Sequence, residues 1–338
     1  NIKLEDFKEV EHNGFNSKTL LELCNEYESI RYLYAQPHLQ KLLQKPKILD
    51  LVLRNVSSVE TLKKDKVISE STLIDWIWEI EVSNKKNGDL RKSFLFKLAE
   101  LQGAELKHEI AIDQFDTSDL IPLGELKSDG ICRVNDDRIT FTHDLFGDWA
   151  RLKILRSHKD NLKSYINGRL DSPLWNSAFK YYSLGVLDTV SSVANWEKLF
   201  DNFSDNVSAQ NLILESILFA PNCYELLVSL KEKIYQNEGD LFKRIITRFL
   251  HVMTYPDPMV LFFSKSSSEF TDIEAAAFNR IPVLLYWIPV LQFIITFREE
   301  VLKFSKKHIL IIADIWLRKT LPGTILRKEL AKIAIESA

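Results

Sequence analysis

Apolar and polar positions along this chain follow a helical period almost throughout, with one clear exception. Ile139 and Phe141 alternate with Thr140 and Thr142, the period-two signature of a half-buried strand. Asp136-Asp137 supplies turn chemistry that leads back to Ile131–Val134, so a β-hairpin ending at His143 is predicted. Leu145, Trp149, Leu152 and Leu155 then recur at helical spacing, and Asp144 can accept N–H bonds at the helix start. His143 is thereby predicted at the corner where a strand becomes a helix.

Before the hairpin, residues 1–9 read as a short edge strand and a helix start. From Ser17, a plausible N-cap, to Asp50 the pattern is helical, with Leu20, Leu21, Cys24 and Tyr27 on one face; Pro37 breaks it, giving two or three short helices. Pro46 opens Lys47–Arg54, matching the preference for proline in a first helical turn. Ser71–Val82 is a further helix, and Asp89 is placed to cap Leu90–Leu101. A third helix, capped by Ser118 or Asp119, runs to Lys127 and stops at Asp129-Gly130. Three helices followed by a hairpin is the order of a winged-helix domain.

Beyond Ala150 only helical periodicity is visible. The candidates are 146–157, 159–170, 173–188, 195–203, 207–219, 221–235, 239–252, 270–280, 282–297, 299–304, 306–319 and 324–337. Paired helices with short loops suggest an α-solenoid, although no strict repeat period is present. The expected fold is mainly α: a helical lid portion over 1–66, a winged-helix domain with one hairpin over 67–157, and a solenoid-like helical array over 158–338.

Composition agrees. The 338 residues are 46% hydrophobic with only ten Gly and ten Pro, which favours helices and allows more than one core. A net charge of −3 gives no global reason to expect nucleic acid or an anionic membrane. The run Ile281–Phe297 sits near the lower limit of roughly 17–25 residues for a spanning helix and contains Pro282, Pro289 and Gln292, so a buried array helix is expected and no membrane partner. Cys24, Cys132 and Cys223 lie far apart and form no metal-binding spacing; reduced thiols in a cytoplasmic protein are the reading. No secretory signal pattern is visible.

Catalytic signatures are missing from these residues. GxxxxGK[ST], GxGxxG after a strand, GxSxG and HExxH do not occur. His108-Glu109 is a neighbour pair with no enforced geometry, and Asp136-Asp137 and Glu299-Glu300 read as turn and solvated-face residues. The third helix and its exit carry Asp119, Glu125 and Asp129 against Lys127, a surface that repels phosphates and disfavours DNA reading.

Three segments in order resemble the C-terminal part of a STAND-class NTPase, of the NACHT and NB-ARC type. They are LQKLLQKPKILDLVL (39–53), similar to the helical lid; Phe141, His143, Asp148, Trp149 and Ala150, similar to the winged-helix ending; and the array ending in WLRKTLPGTILRKELAKIAIESA from Trp316, similar to bacterial antiviral members. The resemblance implies that Pro46 packs against the adenine of bound ADP or ATP and that His143 reaches the β-phosphate of ADP, holding a closed form. It places the Walker motifs and the Mg-binding segment upstream of Asn1, so this chain holds no hydrolytic centre of its own. It further implies a protein ligand, such as a phage protein, and homo-oligomerisation on activation. A helical interaction scaffold and a nucleic-acid-binding winged helix are the alternatives.

Overall fold

The computed structural model describes residues 17–64, 68–188, 192–257, 279–320 and 323–337. The strand and helix start expected over 1–9 lie outside the described residues, as does nearly all of the 270–280 candidate. The protein is mainly α and forms two compact units, one ending at Lys86 and the other beginning at Asn87.

The first unit holds α1 (Ser17–Glu26), α2 (Glu28–Tyr34), α3 (Pro37–Leu43), α4 (Pro46–Arg54), a 3-10 stretch over Val56–Lys64, and α5 (Glu70–Trp78), which continues into a π-helical turn at Glu79–Ser83. Four short helices therefore stand where two or three were expected before Arg54. Pro37 and Pro46 each occupy the first turn of a helix, where a missing N–H costs nothing. Leu20, Ile30, Leu33, Leu43, Ile48, Val52, Leu73 and Ile77 are buried in this unit. Asn55, just past α4, donates to Leu51 O at 2.9 Å and to the buried Glu81 at 2.6 Å, tying the end of α4 to the π turn.

The second unit opens with a small antiparallel sheet set among helices. Its elements are α6 (Gly88–Glu105), β1 (Ile110–Ala111), turns leading to α7 (Leu123–Ser128), β2 (Cys132–Asn135), β3 (Arg138–Phe141) and α8 (Asp144–Ser157). The strands form an antiparallel sheet in the order β1-β3-β2, with Ile110 opposite Ile139 and Val134 opposite Ile139 from the other side. The hairpin falls where alternation placed it, and Asp136 turns the chain at φ 50, a left-handed conformation that Asp tolerates. Strand β1 was not foreseen, and the helix expected over Ser71–Val82 as the first of three before the hairpin is α5, in the first unit.

Two caps differ from expectation. Asp89 lies inside the first turn of α6, and Asn87 occupies the cap position at φ 58. Asp119 caps nothing: its carboxylate accepts from Lys97 at 2.5 Å and from Asp116 N–H at 3.1 Å, and Pro122 precedes α7. The stop at Asp129-Gly130 is present, with Gly130 at φ 69 and Ile131 N–H donating back to Leu126 O at 2.9 Å.

From α8 the chain builds a two-row helical array. After short turns around α9 (Leu162–Ile166) come α10 (Asn176–Leu187), α11 (Ser192–Asn202), α12 (Val207–Phe219), α13 (Cys223–Ser229), α14 (Lys231–Val252), α15 (Leu284–Thr296), α16 (Arg298–Lys319) and α17 (Ile325–Ser337). In one row α8, α10, α12, α14, α16 and α17 pack successively; α13 and α15 pack together beside it. The candidate at 159–170 is broken into a 3-10 turn, five helical residues and a second 3-10 turn. The breaks expected near 236–238 and at Ser305 are real kinks inside α14 and α16. One pairing escaped the helical reading: β4 (Thr254–Pro256) and β5 (Arg280–Pro282) form a two-stranded antiparallel sheet.

The apolar run at 281–297 is accounted for by β5 and α15. Trp287, Val290, Leu291, Phe293 and Ile294 are fully buried, and Trp287 donates its indole N–H to Met253 O at 2.6 Å. The Trp287 ring lies between Phe249 and Trp316, at centroid distances of 4.8 and 5.9 Å. Among the described residues no helix is long and apolar enough to cross a membrane.

Candidate functional site

His143 occupies the corner that the sequence assigned to it. Strand β3 ends at Phe141, whose ring is buried, and α8 begins at Asp144, so the two rigid elements fix the backbone on either side. The residue that caps α8 is His143 itself, in extended conformation (φ −142, ψ 137), with Nδ1 accepting the N–H of Leu145 at 3.2 Å. Asp144 is the first helical residue instead, which corrects its expected capping role. Because Nδ1 is an acceptor, the proton of the neutral ring sits on Nε2. The side chain is exposed at the surface of the corner.

Beneath His143, α8 carries a buried polar cluster that periodicity did not reveal. Arg151 is 2% exposed, lies 3.6 Å from Asp148 and donates to Gln102 Oε1 on α6 at 3.1 Å. Gln102 in turn donates to the carbonyl of His108, so the cluster links α8, α6 and the approach to β1. Gly147 lies where a β-carbon would meet Arg151 Nη1 at 3.1 Å and the Phe141 ring at 3.2 Å, which lets the guanidinium lie along the helix. Burial raises the Asp148 carboxyl to about 6, against the opposing pull of Arg151, and the same burial lowers the Arg151 pKa. A polar residue every third or fourth position within an apolar stripe, as in Asp148 and Arg151, is the available sequence signal.

Pro46 begins α4 in the first unit and is exposed; its ring serves as a helix-initiating residue there. His143 belongs to the second unit. Each side chain offers one contact of the kind a nucleotide takes. The exposed pyrrolidine ring fits a flat apolar contact to a base, and an imidazole N–H on Nε2 fits a phosphate oxygen.

The acidic residues of the third helix are engaged within the domain. Arg91 contacts Asp129 at 2.7 Å and Glu125 at 3.9 Å, while Lys97 contacts Asp119 at 2.5 Å and Asp116 at 3.7 Å. These pairs tie α7 and its preceding turn to α6. Asp136, Asp137, Glu299 and Glu300 are exposed, as their turn and surface reading requires. The three thiols are buried and unbridged, and burial pushes those of Cys132 and Cys223 up to about 12, which leaves them inert as nucleophiles near neutral pH. Among the described residues no group of acidic, His and Cys side chains is placed to hold a metal ion.

Compared with known proteins, the chain matches no family model and no curated relative.

Proposed function

We propose that this chain is the regulatory and sensing portion of a STAND-type nucleotide-dependent switch acting in antiphage defence. In this reading the helical array binds a protein ligand, and the winged helix relays that event to an ADP or ATP site completed by a P-loop segment elsewhere in the polypeptide. The observation that carries it is the presentation of His143: exposed, held between β3 and α8, and with its proton directed to Nε2 by the Leu145 N–H. A relay also needs a mechanical link, and α8 supplies one by packing on α6 at one side and α10 at the other. Ligand and nucleotide would then bias one two-state element, so that release of the winged helix permits homo-oligomerisation.

The test uses the product of the complete reading frame that encodes these residues. ADP carried through purification and oligomer size without trigger are compared for wild type, His143→Ala and His143→Asn. Asn keeps the helix cap but lacks an imidazole N–H. Loss of ADP and easier assembly in both variants is the expected result. Retention equal to wild type in His143→Asn, with normal folding, would sink the switch reading and leave a helical interaction scaffold.

A further inference from the structure

An open groove of about 1070 Å³ lies in the array, bounded by the segment around α9, by α10 and by α11. Its floor is apolar. Leu162, Leu199 and Phe203 line it and are 6%, 8% and 2% exposed. Its sides carry Lys159, Lys163 and Lys198 against one carboxylate, Asp160. Lys163 is paired with Asp205 at 2.9 Å, but among the described residues neither Lys159 nor Lys198 has an ion-pair partner. Asn167 and Asn202 add exposed carboxamides.

We propose that this groove binds an acidic, extended peptide segment of a partner protein. Lys159 and Lys198 pair its carboxylates, and one apolar side chain of the segment seats beside Leu162 and Leu199. An apolar centre within a polar rim is the anatomy of a protein-binding hot spot. Each Asn presents both donors and an acceptor, the complement of a peptide's C=O and N–H groups. A phosphodiester backbone offers acceptors only and would leave the amide oxygens unmatched. Single-stranded nucleic acid also needs open aromatic faces for stacking. Here Phe203 is buried, and Tyr182 lies nearly parallel to Phe179, with an interplanar angle of 3°.

This inference gives a chemistry to the protein ligand of the function proposed above and rests on that reading only for its biological role. Binding is read on the 338-residue chain itself, without nucleotide, by fluorescence anisotropy. The probes are a fluorescein-labelled Glu-rich peptide with one central Leu, its Lys-rich counterpart, the Glu-rich peptide with Ser in place of Leu, and a single-stranded RNA. The Glu-rich Leu peptide should bind most tightly, and Lys198→Glu should weaken it about tenfold or more, as expected for loss of a close charge pair. Asn202→Ala should weaken it less, and Lys328→Glu, on α17 and outside the groove, should leave it unchanged. Circular dichroism melts establish that each variant is folded. Preference for RNA, equal binding of both peptide charges, or full affinity in folded Lys198→Glu would overturn the proposal. These outcomes do not bear on ADP retention, so failure here and failure of the switch reading are separable.

Discussion

The guanidinium of Arg91 lies 2.7 Å from the carboxylate of Asp129, with the arginine side chain 2% exposed and the aspartate 30% exposed. The pair is asymmetric, and the asymmetry sets what each substitution does. Asp129→Ala removes the nearest carboxylate from a buried cation and should cost about 3 kcal/mol. Arg91→Met keeps most of the volume and leaves carboxylates that water reaches, so about 1 kcal/mol is expected. Urea denaturation of both variants checks the order, and a larger loss in Arg91→Met would reverse this account of the domain.

His143 contributes as a helix cap whatever else it does. Replacing it with Ala removes the acceptor for Leu145 N–H and should destabilise the unit by about 1 kcal/mol, while Asn should restore most of that. In the proposed switch, a hydrogen bond to a charged phosphate would contribute about 1.5–3 kcal/mol. Loss of such a closed-state contact should raise the open population roughly ten- to a hundredfold. Thermal melts of His143→Asn beside its ADP retention separate the two contributions.

Asp148 should make the second unit less stable as pH rises through mildly acid values. Its carboxyl is raised from 3.8 to about 6, chiefly by burial, with Asp144 reinforcing the shift and Arg151, Ser177 and Lys180 opposing it. The folded state therefore holds a proton that the unfolded state has released between about pH 4 and pH 6, and stability falls across that window. Allowing for partial solvent contact, the loss is about 1–2 kcal/mol. Asp148→Asn should flatten this segment of a melting-temperature profile; an unchanged slope would assign the dependence to other groups.

Gly239 is buried at φ 72 in the kink of α14, following Asn237 and Glu238 at φ 49 and 54. A β-carbon there would collide with the ring of Phe304, which packs on Phe242 and Tyr235. Gly239→Ala combines left-handed backbone strain with overpacking and should cost about 2–4 kcal/mol. Its denaturant midpoint, compared with that of Gly124→Ala on α7, where a β-carbon meets no neighbour, measures the effect.

Duplex DNA should bind weakly and without sequence preference at physiological salt. Arg91 and Lys97 are already paired with the acids of the third helix and its preceding turn, so they are poorly placed to neutralise phosphates. A salt-resistant, sequence-selective gel shift would favour a nucleic-acid role for the winged helix.

The features legible in the sequence are those with local causes. Pro46 marks a helix start because its ring suits the first turn, and the Ile139–Phe141 alternation marks β3, although Thr140 between them is buried as well. The kink at 236–239 is legible through polar residues ending in glycine. Strand β1 was not, since Ile110–Ala111 is too short to show a period and is defined by pairing with residues nearly thirty positions away. The same holds for β4 and β5. At the candidate site, the position of His143 could be read, and with it a histidine that caps or braces the strand-to-helix corner, although Asp144 is by composition the better capping residue. Gln102 and Arg151 meet only through the packing of α6 on α8.

Helix α8 follows the hairpin, packs on α6, and also begins the array, without a linker between them. It therefore sets a limit on how such chains can be recombined. A crossover within α8 would join half of one core to half of another, and both the Gln102–Arg151 contact and the α10 packing face would have to match by chance. Recombination should therefore leave its junctions outside α8, with Leu145 to Leu155 inherited together with the hairpin that precedes it.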